Sequence, residues 1–461
     1  MKKIILYILI FFLTTYLIFV FTYQSNLSNK IKSKIPIELK HNLKKYLFPY
    51  KYIKDQDRVI ESLRNEIGDL MVEVDKDISV KQQLEKVFFN KSKDNEFIQI
   101  NNKNFKINNY YMSQNKIVRG IYNTRPASLY LDYFDENLFF LSSVGIIAYS
   151  DSIDDEALEF KQIKNNLDTF LTEKQLRKNK WFSTKDLSII DNKIFVSFTN
   201  EIKKDCWNTS IIYAELNYKE LFFKEFFVPD ECVQEIVGYT KLTGHQSGGR
   251  IIEFDENHIL FSVGDYNFLD QPQKDKSIFG KILKINKITK NYDIFSKGHR
   301  NPQGLFYDIE NSFILSTEHG PEGGDEINLI NIDNKSIPNY GWPISSYGEH
   351  YGGKNDKNND SLYLKYPLYK SHKKYGFIEP LHHFTPSIGI SEIIGLGNKN
   401  YIVASLGYGA LFEVIFDKNN QIKLINEIVI EERIRDIIFK ENKIFIYQET
   451  TGIIGIINLD T

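Results

Sequence analysis

Potential catalytic and anion-binding side chains stand directly before apolar runs in four separate segments: TGHQSGGRIIEF, GHRNPQGLFYD, TPSIGISEI and ERIRDIIF. In chain order these side chains are His245, Gln246, Arg300, Asn301, Ser387, Arg433 and Arg435. Histidine titrates near neutral pH and can therefore take up a proton, whereas arginine binds carboxylates and phosphates with two parallel hydrogen bonds. If the four segments meet in space, they place a base beside a binding site for a ligand with several negative charges.

The elements that must position these side chains repeat along the chain. Six segments share an apolar strand, a tight polar turn containing Asn and a second apolar strand: 134–143, 190–199, 254–263, 308–317, 396–405 and 439–448. Asn tolerates the left-handed backbone that such hairpin turns require. Closing the repeats into a ring protects sheet edges that separate hairpins would expose. We therefore predict an all-β fold, a six-bladed β-propeller over residues 106–461, with a pair of β-sandwiches as the alternative.

In a propeller, the loops that lead into the innermost strands open on one face around the central axis. The repeat phase predicts that the four segments lie in such loops and meet at one rim. Taken singly, His245 also suits a structural role, and Arg433 and Arg435 also suit a solvated face or salt bridges that close the ring. Three guanidiniums on one face repel one another unless a ligand with several carboxylates or phosphates binds there.

The overall charge gives no bias toward nucleic acid. The chain has 461 residues with 58 Lys+Arg and 60 Asp+Glu, a formal net charge of -2. We therefore predict no nucleic-acid partner. Aromatic residues make up 14% of the chain, which favours strands over helices.

The N-terminal region differs from the rest of the chain. Residues 4–22 form an apolar run long enough to span a bilayer, and no Ala-x-Ala cleavage signature follows. We predict a transmembrane signal anchor at 1–23 rather than a cleaved signal peptide, and a single-pass inner-membrane protein with its catalytic domain in the periplasm. The lysines that follow the run outnumber Lys2 and Lys3 before it, which by the positive-inside rule favours the opposite orientation. They are Lys30, Lys32, Lys34 and Lys40.

A basic linker and an amphipathic helix are predicted over residues 24–105. Apolar residues recur at three- and four-residue steps over 53–74, which suits either a coiled coil that forms a homodimer or a helix packed on its own domain. The two cysteines, Cys206 and Cys232, suit a disulfide if the protein is exported and two buried thiols if it is cytosolic.

Several motifs together resemble a known family. GHQSGGRI, GHRNPQGL, EHGPEGGDEINLI, NYGWP and the terminal RIRD are similar to motifs of the soluble-type aldose sugar dehydrogenases that depend on pyrroloquinoline quinone (PQQ), the glucose/sorbosone dehydrogenase family. The resemblance covers about residues 115–461. It implies a six-bladed propeller, a sugar substrate, an external electron acceptor, and PQQ and calcium as cofactors.

The resemblance also implies roles for individual positions. His245 matches the general base that takes the proton of the sugar's anomeric hydroxyl while hydride passes to the quinone. Arg300 matches the cation that stabilises the developing oxyanion. The carbonyl groups of Gly320 and Pro321 match calcium ligands. The remaining implied cofactor contacts are Gln246, Asn301, His319, Arg433 and Arg435.

Asp325 and Trp342 correspond to positions near the substrate mouth. Two positions depart from the family pattern: Gly407 stands where many members have a cofactor-binding lysine, and Gly244 stands where one branch has aspartate. These departures keep open a catalytically degenerate propeller that binds carbohydrate or protein. A calcium-dependent sugar-lactone hydrolase on the same architecture is a further alternative.

Overall fold

A computed structural model of the protein describes residues 86–92, 96–112, 128–150, 157–179, 181–237 and 240–460. All of these residues belong to one compact unit, Asp75–Thr461. The predicted anchor at 4–22 and the predicted helix at 53–74 lie outside the described residues. Among the helices that are described, none is both long and apolar enough to cross a membrane.

Each of the six predicted hairpins forms the first two strands of an antiparallel sheet; strands are numbered β1 to β30 in chain order. The first strands are β4 (Leu129–Phe134), β8 (Thr184–Ile190), β16 (Gly248–Asp255), β20 (Pro302–Asp308), β24 (Ile390–Gly397) and β28 (Ile434–Lys440). The second strands are β5 (Asn137–Ser142), β9 (Lys193–Lys203), β17 (His258–Val263), β21 (Phe313–Glu318), β25 (Asn400–Ser405) and β29 (Lys443–Gln448).

The hairpin turns follow the chemistry that the sequence indicates. Four of the six pass through two consecutive residues with positive φ, as the favoured two-residue hairpin turns require. These pairs are Asp135–Glu136, Asp191–Asn192, Asn398–Lys399 and Glu441–Asn442. Asn and Asp adopt this backbone with less strain than other non-glycine residues, which explains why the repeat is visible in the sequence.

Two further strands complete each sheet. The third strands are β6 (Ile147–Ser150), β10 (Cys206–Glu215), β18 (Lys281–Asn286), β22 (Asp325–Asn331), β26 (Ala410–Phe416) and β30 (Ile453–Asn458). The outer strands are β7 (Ala157–Asn165), β12 (Lys224–Phe227), β19 (Tyr292–Lys297), β23 (His382–Phe384), β27 (Ile422–Val429) and β3 (Lys103–Met112). The first strands contact one another in the cyclic order β4, β8, β16, β20, β24, β28 and back to β4, so the six sheets are the blades of a closed propeller.

The ring closes with a strand from the N-terminal side of the propeller. β3 pairs with β30 and completes the last blade. β1 (Lys86–Lys91) joins β3 to β7 of the first blade, and β2 (Glu96–Ile100) pairs with β3 through a turn at Asn101 and Asn102. The sheet therefore begins before the predicted domain boundary at residue 106, inside the stretch that was predicted as linker and helix.

The remaining elements of the described ranges are short. They are β11 (Glu220–Leu221), β13 (Val233–Gln234), β14 (Ile236–Val237), β15 (Thr240–Lys241), α1 (Glu173–Lys178), α2 (Asp360–Lys365) and three 3-10 turns. Cys206 and Cys232 form a disulfide that joins the start of β10 to the residue before β13. The predicted pairing is therefore present.

The apolar core lies between neighbouring blades. Trp207 of β10 and Phe261 of β17 belong to one cluster, and Leu315 of β21 and Val403 of β25 belong to another; all four are fully buried. Each blade is covered on both faces by its two neighbours. Its inner strands are therefore nearly continuous apolar runs in the sequence. This packing holds the strand ends, and the loops that lead into them, in fixed positions around the axis.

Candidate functional site

Two of the predicted loops are tied together by one amide. The Asn301 side chain, which is buried at the start of β20, donates to the carbonyl of His245 (3.3 Å) and accepts from the amide of Gly248 (3.1 Å). His245 itself is exposed, so its imidazole is accessible from solvent. The structure thus brings an accessible histidine next to the loop that carries Arg300.

The guanidinium of Arg300 is held by main-chain groups. Nη1 donates to the carbonyls of His319 (3.1 Å) and Gly320 (2.7 Å), and the guanidinium lies 5.5 Å from the centre of the Trp342 ring. The main-chain amide of Arg300 donates to Glu318 (3.1 Å). Arg300 is 5% exposed, so both its position and its desolvation are set by the fold.

A buried network lies beneath Arg300. His299 bonds through Nδ1 to Glu318 (2.7 Å) and through Nε2 to Ser296 (2.8 Å). Trp342 donates from Nε1 to Asp265 (2.8 Å). Burial raises the pKa of Asp265 to about 6 although the charge of Arg300 opposes that rise. Trp342 is buried, and its described contacts assign it to the support of Arg300.

Asp325 has no hydrogen-bonding capacity left for a substrate. Its carboxylate accepts from four donors, which is the number that its lone pairs allow. These are the amides of Gly320 (3.0 Å), Gly389 (2.7 Å) and Ile390 (3.0 Å) and the hydroxyl of Ser387 (3.0 Å). The side chain is 1% exposed. The geometry therefore differs from the predicted substrate contact: Asp325 joins the loop after β21 to the loop before β24.

Arg433 and Arg435 share one carboxylate. Glu449 accepts from Nε of Arg435 (2.8 Å), from Nη2 of Arg435 (3.1 Å) and from Nε of Arg433 (3.2 Å), and Ser128 also donates to it. Burial raises the pKa of Glu449, but the two guanidiniums outweigh that effect and lower the pKa to about 2. Salt bridges, one of the alternatives that the sequence leaves open for these arginines, are therefore present, although the sequence does not show that Glu449 is the partner. One carboxylate still leaves one positive charge on the pair.

The charges of three arginines act on the imidazole of His319. Burial lowers the pKa of its imidazole to about 4; Asp325 opposes this, whereas Arg300, Arg435 and Arg433 lower the pKa further. All three guanidiniums therefore act on the same ring. Cations from different blades therefore lie close enough to His319 to influence its charge.

The predicted calcium ligands do not fit the ion as they stand. The carbonyl of Gly320 accepts the Arg300 guanidinium at 2.7 Å, so a divalent cation at that oxygen would face a fixed positive charge. Pro321 is buried. Within the described ranges, no three His, Cys, Asp or Glu side chains are grouped so that they could hold a metal.

Close packing accompanies both departures from the family pattern, against the main chain at Gly407 and against side chains at Gly244. A Cβ atom at Gly407 would lie 2.8 Å from the carbonyl oxygen of Ile388, so a lysine does not fit there without a backbone shift. A Cβ atom at Gly244 would lie 3.0 Å from the Phe182 ring and 3.1 Å from Cβ of Trp181. Glycine at each position permits close approach of a neighbouring segment.

A charged cluster on the axis was missed by the sequence analysis. Arg250 of β16 forms ion pairs with Asp186 (2.7 Å), Asp436 (2.9 Å) and Glu392, which belong to three other inner strands. Its Nε donates to the carbonyl of Gln303 in β20 (3.1 Å). Charged residues inside otherwise apolar inner strands were the available signal, but only the closed ring shows that they meet.

The chain matches a protein-family model. A family model described as Glucose / Sorbosone dehydrogenase matches residues 190–454, which is more than half of the chain. The matched range contains the loops of His245, Arg300, His319 and Arg433.

Individual relatives match over shorter stretches. An aldose sugar dehydrogenase of Escherichia coli is 29% identical over 162 residues, which are 32% of this chain and 40% of that protein. Quinoprotein glucose dehydrogenase B of Acinetobacter calcoaceticus is 33% identical over 154 residues, 27% of this chain and 31% of that protein. The matched part of this chain thus covers less than half the length of each of these two curated relatives.

A solved structure shares the fold. The PQQ-bound form of the aldose sugar dehydrogenase from Streptomyces coelicolor superimposes with a TM-score of 0.52 and 17% identity, over 72% of this chain and 94% of that chain. At this identity the similarity establishes the fold alone.

Proposed function

The chain belongs to the glucose/sorbosone dehydrogenase family, and from that premise we propose that it is a PQQ-dependent quinoprotein that oxidises an aldose or a related sugar to the lactone. The observation that carries the proposal is the accessible imidazole of His245, tied through Asn301 to the loop that holds Arg300. A base and a fixed cation on two loops that are joined to each other suit the removal of a hydroxyl proton and the stabilisation of negative charge.

The residues at the site fit a ligand with several carboxylates. Arg300, Arg433 and Arg435 act on one imidazole, and Glu449 neutralises only part of their charge. The amide oxygen of Gln246 is buried and has no hydrogen-bond partner among the described residues, so it can accept a hydrogen bond from a donor group of the ligand, not from its carboxylates. Arg433, Arg435, Gln246, Asn301 and His319 are the residues that would hold PQQ. When bound, PQQ supplies the hydride acceptor that no protein side chain provides.

The chain's own groups then have separate tasks. His245 takes the proton of the sugar's anomeric hydroxyl, and Asn301 holds the main chain of His245 in place. Arg300 presents a desolvated positive charge whose direction is set by the His319 and Gly320 carbonyls. Because Arg300 occupies the Gly320 carbonyl, we assign no step to calcium.

The test is a titration of the purified full chain with PQQ by calorimetry, followed by dye reduction over a panel of sugars. We expect His245→Ala to bind PQQ but to lose about 10²–10⁴-fold in kcat, the usual contribution of a general base. His258→Ala, which removes a histidine on the second strand of the same blade, is the matched control. Absence of dye reduction by the wild-type protein with every sugar would refute the proposal.

A propeller that binds without catalysis is the second candidate. Gly407 favours it, because the close carbonyl of Ile388 leaves no room for the family lysine. Undetectable PQQ binding by calorimetry would support this candidate over the dehydrogenase. The lactone-hydrolase alternative gains no support. That enzyme would need carboxylates near the axis to bind calcium, whereas Asp186 and Asp436 form ion pairs with Arg250, and no metal-binding group is found among the described residues.

We also propose that residues 4–22 anchor the protein in the inner membrane, with the propeller in the periplasm and an external electron acceptor. The disulfide between Cys206 and Cys232 supports this location, because disulfides persist in oxidising compartments. A homodimer through residues 53–74 remains part of the proposal. Protease added to spheroplasts should digest the propeller; a protected propeller with reduced cysteines would contradict the location.

A further inference from the structure

Lys185 is a buried lysine on an inner strand next to the site. It is the second residue of β8 and is 9% exposed. Its Nζ donates to the carbonyl of Trp181 (2.6 Å) and to the carbonyl of Gly244 (3.3 Å). These carbonyls belong to two segments that lead into different blades, so one amine joins the approach to β8 with the approach to β16.

The two joined segments carry His245 and its aromatic neighbour. His245 follows Gly244 directly, and its ring lies 5.7 Å from the Trp181 ring at an interplanar angle of 59°. The missing side chain at Gly244 lets the two segments pack, since a Cβ atom there would meet both Phe182 and Trp181. A shift of either carbonyl away from Lys185 would therefore move the imidazole relative to the Trp181 ring.

The fold makes room for the stem of Lys185. A Cβ atom at Gly249 would lie 2.3 Å from Cβ of Lys185, and Gly249 has φ of +123°, which favours glycine. The hydroxyl of Ser197 donates to the carbonyl of Gly249 (2.6 Å) and fixes that close approach. Burying an amine is costly unless it is hydrogen-bonded, and here both bonds go to the loops around His245.

We propose that Lys185 is a positioning residue for His245, which holds the imidazole in place through the Trp181 and Gly244 carbonyls. This inference rests on the proposed role of His245 as the base, but the positioning itself is a property of the free protein. Burial, and then the charge of Arg435, lower the pKa of Lys185 to about 7. The neutral amine keeps two N–H groups, so both hydrogen bonds persist when the proton is lost.

The test compares Lys185→Met with the wild-type full chain. Methionine keeps an unbranched apolar stem but removes both donors. We expect diethyl pyrocarbonate to modify His245 about 5-fold faster in the variant, because losing hydrogen bonds with a net contribution of about 1 kcal/mol frees the loop by that factor. Peptide mass spectrometry measures the rate, with His258 in β17 as the internal reference.

Lys281→Met is the matched control. Lys281 is likewise buried, with 0% of it exposed, and its Nζ donates to the carbonyls of Gln271, Pro272 and Phe279 rather than to those of Trp181 and Gly244. It should lose stability as Lys185→Met does but leave the His245 rate unchanged. An unchanged His245 rate in folded Lys185→Met would overturn the inference. If Lys185→Met does not fold, Lys185→Gln, which keeps an amide donor on a shorter side chain, replaces it. The rate at which His245 is modified in Lys185→Gln is then compared with the wild-type and Lys281→Met rates.

Activity separates this inference from the proposed function. If the wild-type protein oxidises a sugar, Lys185→Met should lower kcat with little change in KM, because it misplaces the base without removing a substrate contact. If no sugar is oxidised, the proposed function fails, whereas the modification rate of His245 still decides the role of Lys185.

Discussion

At the scale of single residues, the shared carboxylate of Glu449 sets the charge of the arginine pair. Arg433 and Arg435 both bond to it, and its pKa is about 2 in the folded protein against an ordinary value near 4.5. A carboxyl group whose folded pKa is depressed contributes stability above its unfolded pKa and loses it as the pH falls toward the folded value. Stability from Glu449 is therefore present at neutral pH and lost between about pH 4.5 and pH 2.

We predict that Glu449→Gln lowers the free energy of unfolding at pH 7 by about 3–5 kcal/mol, because it leaves two buried or half-buried guanidiniums without their partner. The deficit relative to the wild-type protein should shrink when urea unfolding is repeated near pH 3. Glu427→Gln, at an exposed carboxylate on β27, is the control and should change little. A deficit that is equal at both pH values would contradict the assignment.

At the scale of elements, glycines decide how closely the loops around the site approach one another. The amide of Gly407 donates to the carbonyl of Ile388 (2.8 Å), so the turn after β25 lies directly on the loop before β24. The repeated hairpins have an equally local cause, the Asn and Asp residues in their turns. The difference is that a hairpin turn is readable from adjacent residues, whereas contact between two loops is not.

We predict that Gly407→Ala destabilises the protein by about 1–3 kcal/mol, because the new methyl group overpacks against the Ile388 carbonyl. Urea unfolding measures the change. Tyr408→Ala, at the exposed neighbouring position, is the control and should have a smaller effect. A stabilised Gly407→Ala protein would show that the loop can move away at no cost.

At the scale of the whole molecule, the propeller closes through β3. Ile107 of this strand is 1% exposed and pairs with Ile457 of β30, within a cluster that also contains residues of β25 and β29. The axial pairs of Arg250 join the inner strands in the same closed arrangement. Residues far apart in the chain therefore stabilise one another only after the ring has formed.

We predict that Ile107→Ala lowers the free energy of unfolding of the full chain by about 2–5 kcal/mol, the usual cost of such a change in a core. The same substitution at a residue in a linker would leave the free energy of unfolding almost unchanged. Lys106→Ala, at the exposed neighbouring position of β3, is the control. Equal stability of the two variants would mean that β3 is not needed for closure.

By itself, the sequence determined the number of blades and the loops that carry the site, because the turn residues and the apolar runs beside them depend on only a few neighbouring positions. The turn at Asn101 and Asn102 resembles the turns of the six repeats, but it was not recognised in the sequence, and the strands beside it were interpreted as linker and helix. The family resemblance supplied the roles of His245 and Arg300.

Only the tertiary structure decided which of these groups are engaged with one another. Glu449 between the arginines, Asp325 with its four donors, Trp342 beneath Arg300 and Lys185 beneath the His245 loop are all contacts between separate segments. The physical reason is that hydrogen bonds and charge pairs depend on distances of a few ångströms. Those distances are set by closing six blades around one axis, and not by the order of residues within any of them.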